Sequence, residues 1–207
     1  MIVHTMTEAE LTQEVMKDMY NAFRWEDVNS NKFRRIVLKT TRFPVYATFS
    51  YNSPRKNKWL ILLEARTKKE FGDSSRCTYV TTYDSPHGIY AVMVSWVEKK
   101  PQLILYPPHF FSRYRDRMQI SLNGLSLMNH FFKYNYSYVY EIKRKEIKES
   151  HFSIEVYGSC RDGVCLGFMT SEDNIMFKTF ITYDMLKGEQ IEKFTENEKY
   201  RQEIHEK

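Results

Sequence analysis

The sequence predicts an α+β protein: a mainly antiparallel sheet with an N-terminal helix and two central helices packed on it. Apolar residues recur at helical intervals near the N-terminus, and strand-like runs rich in β-branched and aromatic residues begin at Val45. Two further helical patterns interrupt these runs in the middle of the chain. The 207 residues, 42% of them hydrophobic, fit a single domain over 1–207 with a substantial core.

The first 44 residues are expected to be helical. Thr7 and Glu10 have the spacing of a capping box, and apolar residues then repeat every three or four positions. This pattern predicts a helix from about 8 to 23, which a second helix around 30–37 could extend. Residues 1–44 therefore form the expected helical N-terminal segment.

The expected α+β core spans 45–186 and contains strand-like runs on both sides of the central helices. Asp162-Gly163 predicts a tight hairpin turn, and residues 171–174 predict the next turn. The charged tail 187–207 is expected to be a solvated helix or a frayed end. The strand-like runs are VYATFSY, KWLILLEAR, CTYVTTY, IYAVMVSWV and PQLILYP, then HFSIEVYGS, VCLGFMT and NIMFKTFITY.

Several classes of protein lose their usual support in this sequence. It contains no GxGxxG after a strand, no P-loop and no HExxH, so we expect no cofactor and no metal. Three cysteines do not make a disulfide framework; Cys160 and Cys165 flank a turn and could form a cross-strand bridge, but two reduced thiols are the simpler interpretation.

Location and charge give coarser expectations. The N-terminus lacks a signal-peptide pattern, and no window approaches the roughly 20 apolar residues of a membrane span, so we expect a cytoplasmic protein without a membrane partner. The net charge of +5 is compatible with a phosphate-bearing partner such as RNA.

The stretch PPHFFSRYRDRM at 107–118 carries the candidate chemistry. Two prolines suit the first turn of a helix, and four-residue spacing places His109, Arg113 and Arg117 on one face. Two arginines one turn apart repel each other unless an anion lies between them, and phosphate can accept paired hydrogen bonds from each. Asp116, three residues after Arg113, could orient its guanidinium.

His109 falls in the first turn of this helix, where the helix dipole disfavours a charged imidazolium. A neutral imidazole beside fixed cations can act as a base or an acid. Cleavage of RNA by its own 2′-hydroxyl needs such a group and cations on the phosphate, but no metal.

Together with two downstream segments, this helix resembles part of a known group of proteins. The H-x3-R-x3-R helix, GVCLG at 163–167 and KTFIT at 178–182 resemble the barnase–EndoU–colicin–RelE group over roughly 109–186. These are small metal-independent ribonucleases, many of them toxins or proteins of phages and mobile elements. The resemblance implies an endoribonuclease whose late strand completes the site through Lys178, Thr179 or Thr182. It also implies RNA as a partner, together with a cognate immunity or antitoxin protein.

Within that interpretation His109, Arg113, Arg117 and Thr179 are the expected catalytic residues. Lys178, Thr182 and the loop residue His87 are expected to bind substrate, although His87 could be an ordinary turn residue. His130 is expected to cap the second helix or to pack beside its aromatic cluster. One rival is a non-catalytic RNA- or protein-binding accessory module. In it the basic stripe formed by His109, Arg113 and Arg117 only positions a phosphate backbone. Another is an interaction protein for which the stripe is ordinary surface.

Overall fold

The structure, a computed structural model, describes residues 1–70, 75–98, 100–148 and 151–206. It divides into two compact units, Met1–Pro101 and Gln102–Lys207. Within the described ranges the chain forms four α-helices and nine mostly antiparallel strands, which confirms the predicted α+β class. The single-domain organisation expected from the length stays a prediction.

The first unit begins with helix α1 (Glu8–Lys39), whose predicted capping box is present between Thr7 and Glu10. The two helices expected at 8–23 and 30–37 are one continuous helix. The intervening stretch contains no Pro or Gly to interrupt it, and its Asn29 bonds back to the Trp25 carbonyl at 2.8 Å. The Trp25 ring also packs on Phe49, which gives this part of the helix a tertiary contact.

Four antiparallel strands follow in the order in which they occur in the chain. Phe33 and Val37 of α1 pack on Val45 and Leu63 in a fully apolar cluster, so the helix covers the sheet with its last turns. The strands are β1 (Val45–Asn52), β2 (Lys58–Ala65), β3 (Arg76–Ser85) and β4 (Gly88–Val97).

The second unit contains the remaining strands in the order β5-β9-β8-β7-β6, and its two central helices follow β5. β5 pairs with β9 in parallel and the other pairs are antiparallel. Its elements are β5 (Lys100–Tyr106), α2 (Pro108–Met118), α3 (Gly124–Tyr134), β6 (Val139–Lys148), β7 (His151–Ser159), β8 (Gly163–Met169), β9 (Ile175–Thr182) and α4 (Glu189–Glu206).

Aromatic rings fix α2 and α3 to one face of this sheet. Phe110 lies against Phe131 of α3 and Phe177 of β9, and Tyr114 lies edge-on to Phe180. All five side chains are fully buried. Because Phe110 and Tyr114 are four residues apart, one face of α2 is committed to the core and the opposite face is left for polar side chains.

The two predicted turns of the second unit are present. Cys160 N–H donates to the Gly163 carbonyl at 2.9 Å across the hairpin, and Thr170 N–H donates to Asn174 O at 2.8 Å across the next turn. Cys160 and Cys165 are buried free thiols, as the simpler interpretation predicted.

The charged tail ends the second unit as helix α4, which buries Phe194 against Val164 and Leu186. None of the helices in the described part of the chain combines the length and apolarity required to cross a membrane.

Candidate functional site

A cavity of about 470 Å³ opens on strands β7, β8 and β9. Residues two apart on a strand share one face, and β7 contributes Glu155 and Tyr157 in this way. Apolar side chains form part of its walls, and charged and hydroxyl groups reach it from β7 and β9. Its lining is Ser153, Glu155, Tyr157, Leu166, Gly167, Phe168, Lys178 and Thr179.

A β-bulge brings two consecutive residues of β9, Lys178 and Thr179, into this cavity. Thr179 pairs with Leu166, whereas the next pair joins Gly167 to Phe177, so Lys178 is the extra residue. In a regular strand these neighbours would point to opposite faces of the sheet. Bulges commonly redirect a side chain beside a functional site. Here the bulge places the Lys178 ammonium in the same cavity as the Thr179 hydroxyl.

The cavity places a carboxylate and a cation on one surface. The Tyr157 hydroxyl donates to Glu155 Oε2 at 2.6 Å, and this bond, followed by burial, raises the pKa of Tyr157 to about 12. The phenol therefore stays protonated at neutral pH and holds the carboxylate in place. Lys178 Nζ lies 4.5 Å from the centre of the Phe168 ring, a cation–π contact that keeps the ammonium beside the cavity.

Arg117 joins helix α2 to this cavity. Its Nη1 donates to Thr179 Oγ1 at 3.2 Å and also to the Phe180 carbonyl. Among the described residues β5 pairs with β9 at Ile175 and Met176 alone, so these pairs do not reach the Phe180 carbonyl, which accepts from Arg117. Two of the predicted site residues, Arg117 and Thr179, are thus in direct contact.

His109 and Arg113 are exposed on the same stripe of α2. At 1.5 Å per residue, His109 lies about 12 Å from Arg117 along the helix axis and Arg113 about 6 Å. Within the described ranges neither side chain forms a hydrogen bond. The carboxylate of Asp116, expected to orient Arg113, instead pairs with Arg115 at 3.1 Å, so Arg113 is not committed to it.

The remaining predicted site residues lie elsewhere. Thr182 is half-buried and pairs with Gly163 at the end of β9, about 10 Å along the strand from Thr179, and it is not part of the cavity lining. His87 is exposed in the β3–β4 turn of the first unit, where its N–H donates to Ser85 Oγ at 3.2 Å.

Sequence reasoning missed Ser153, Glu155, Tyr157 and Phe168. The alternation S-x-E-x-Y in HFSIEVYGS shows that the three β7 residues share a face. Alternation alone does not say which strands lie beside β7, and the contribution of Phe168 depends on the register between β7 and β8, in which it pairs with Glu155.

In the described parts of the chain no three His, Cys, Asp or Glu side chains gather closely enough to hold a metal ion. Comparison of the chain with protein-family models, curated proteins and solved structures found no match.

Proposed function

We propose that the chain is a metal-independent endoribonuclease that cleaves RNA by attack of the 2′-hydroxyl, with its site in the β7–β9 cavity. The hydrogen bond between Arg117 and Thr179, at a cavity that also contains Glu155 and Lys178, carries the proposal. It brings together a cation from the helix, a cation from the strand and a carboxylate, which can bind a phosphate and accept a proton.

Each group has a distinct role in this proposal. Arg117 and Lys178 bind the scissile phosphate and stabilise the charge that builds up on it. Glu155 lines the same cavity as Lys178 and Thr179 and accepts the proton of the 2′-hydroxyl as the 2′-oxygen bonds to phosphorus. The bond from phosphorus to the 5′-oxygen then breaks, and water donates a proton to that leaving oxygen. His109 is the rival proton acceptor on the α2 stripe, and Arg113 binds a neighbouring phosphate.

The decisive experiment uses an RNA oligonucleotide, EDTA and matched variants. We expect the protein to cut the RNA in EDTA and to leave a 2′,3′-cyclic phosphate, because the attacking oxygen belongs to the substrate. A substrate with a single 2′-deoxy nucleotide at the cut site is expected to be inert. Glu155→Gln should lower cleavage on the order of 10²–10⁴-fold, the usual share of positioned proton transfer.

The controls separate the two candidate bases. His109→Gln should change cleavage only a few-fold if Glu155 accepts the proton, and the larger loss should appear in His109→Gln if the stripe provides the base. Lys17→Gln removes one exposed positive charge from α1 and should leave cleavage unchanged. Equal cleavage of the 2′-deoxy substrate would contradict the mechanism.

A second function is favoured by the exposure of His109 and Arg113. An exposed basic stripe can bind a phosphate backbone without any chemistry, as in the RNA-binding accessory module. That function predicts tight, salt-dependent RNA binding without cleavage, reduced by Arg113→Gln and unaffected by Glu155→Gln. A toxin-type ribonuclease would in addition need an immunity or antitoxin protein that covers the cavity.

A further inference from the structure

A second polar cluster joins α2, α3 and the β7–β8 turn. The Tyr114 hydroxyl lies 2.8 Å from Asp162 Oδ2 and 3.3 Å from His130 Nδ1. Asn135 Nδ2 also donates to Asp162 Oδ2, at 2.7 Å, and Asn135 Oδ1 accepts from the Asp162 N–H at 3.0 Å. The Asp162 carboxylate is therefore held by two donors.

These contacts determine the tautomer of His130. Burial, and then the charge of Asp162, raise the pKa of Tyr114, so the phenol keeps its proton and donates it to the carboxylate. The phenol oxygen can then only accept from His130, which requires a proton on Nδ1. The second ring nitrogen, Nε2, is left as an acceptor, and it makes no hydrogen bond within the described ranges.

The imidazole is held in its neutral form. Burial lowers the pKa of His130 and the positive charge of Lys133 lowers it further, while Asp162 acts in the opposite direction. His130 is only half-buried, so part of its side chain is open to solvent and to a ligand. A neutral imidazole with a fixed tautomer is suited to accept a hydrogen bond from a hydroxyl group.

Two cations lie against Tyr134, the aromatic neighbour of His130. Lys133 Nζ lies 4.9 Å and Arg161 Cζ 5.0 Å from the centre of the Tyr134 ring. The His130 ring is centred 5.0 Å from the same ring. Two cations held at one aromatic ring can bind an anion at its edge, and the guanidinium can donate two hydrogen bonds to a phosphate.

We propose that His130, Lys133 and Arg161 form a second binding site, for a phosphate group with a ribose hydroxyl beside it. The cations bind the phosphate, and His130 Nε2 accepts a hydrogen bond from the hydroxyl. Tyr114 and Asp162 are positioning residues that act through His130. This chemistry is shared by free nucleotides and by RNA, and the site is distinct from the β7–β9 cavity.

The test is NMR of the full chain labelled with ¹⁵N at histidine. At pH 7.5 the long-range ¹H–¹⁵N pattern of His130 is expected to show a proton on Nδ1 and none on Nε2. Adenosine 5′-monophosphate or a short oligoribonucleotide should shift the Nε2 resonance, whereas adenosine should not. A response to the monophosphate identifies a free nucleotide as a ligand; a response to the oligonucleotide alone identifies RNA.

Variants distinguish binding at this site from non-specific attraction of the phosphate to positive charge. Arg161→Gln and Lys133→Gln should each weaken the response at least about tenfold, whereas the control Lys17→Gln should not change it. Tyr114→Phe keeps the buried ring and should abolish the preference for the Nδ1-protonated tautomer. A proton on Nε2 in the unmodified protein, or no response to either phosphate probe, would overturn the proposal. Since Glu155 is absent from this site, Glu155→Gln should leave the response intact whatever its effect on RNA cleavage.

Discussion

At the scale of single residues, hydrogen bonds from the fold keep a buried carboxylate charged. Asp18 is fully buried in the first unit, which disfavours its charged form. Hydrogen bonds from Ser53 at 2.6 Å, Asn57 at 2.8 Å and Trp59 at 2.9 Å outweigh burial and lower the pKa of Asp18. Asp18, which its charge would favour at the surface, is therefore part of the core.

Glu14 leads to a prediction about pH. Its hydrogen bond from Arg55 is the main cause that lowers the pKa of Glu14 to about 2, below its value in the unfolded chain. A lowered folded-state pKa stabilises the protein above about pH 5, and this contribution is lost as the pH falls towards 2. Glu14→Gln should lower the free energy of unfolding by about 1–3 kcal/mol at pH 7 and far less at pH 2.

Chemical denaturation of both proteins between pH 2 and pH 7 measures this difference. The control is Asp84→Asn, which removes an ion pair with Lys58 whose side chains are 69% and 58% exposed. It should change stability by less than about 1 kcal/mol. A Glu14→Gln effect that is the same at both ends of the pH range would contradict the assignment.

At the scale of elements, the glycines of β8 let this strand lie close to β9, on which the bulge lies. A Cβ on Gly167 would lie 2.1 Å from the Met176 carbonyl oxygen, and one on Gly163 would lie 2.1 Å from that of Ile181. Two strands therefore approach too closely for any side chain at either end of GVCLG. The spacing of these glycines, which resembles that of the ribonuclease group, has a steric reason in this fold.

Gly167→Ala should consequently destabilise the protein by about 2–4 kcal/mol, because backbone atoms of β9 have to move. Gly188→Ala is the matched control: among the described residues, no heavy atom beyond its chain neighbours lies within 4 Å of its added Cβ, and its φ of +57° is unfavourable. That variant should cost about 1 kcal/mol. Thermal unfolding of the two variants measures the difference, and equal losses would mean that the close approach at the bulge is not what requires Gly167.

At the scale of the whole molecule, calorimetry tests whether the chain unfolds as a single domain. One domain should unfold in a single transition whose calorimetric and van't Hoff enthalpies agree. Glu14→Gln changes the unit Met1–Pro101 and Gly167→Ala changes the unit Gln102–Lys207, so both variants should shift that same transition. Two transitions, each moved by one variant alone, would show that the units unfold independently.

The sequence by itself determined the local features of this protein. Thr7 and Glu10 predicted the start of α1, the prolines before His109 predicted that of α2, and Asp162-Gly163 predicted the hairpin. Each depends on residues within a few positions of one another, so chain chemistry alone specifies it. The basic stripe on α2 follows in the same way from four-residue spacing.

Only the tertiary structure decided which of these residues meet. Arg117 touches Thr179, 62 positions away, because the aromatic face of α2 docks on β9. Lys178 shares a cavity with Glu155 because the register shifts by one residue, and a shift of one residue reverses which side of a strand faces a given surface. The tautomer of His130 likewise depends on Tyr114 and Asp162, which come from separate elements. Such contacts arise from packing and strand register, which are properties of the whole fold and not of any short stretch of its sequence.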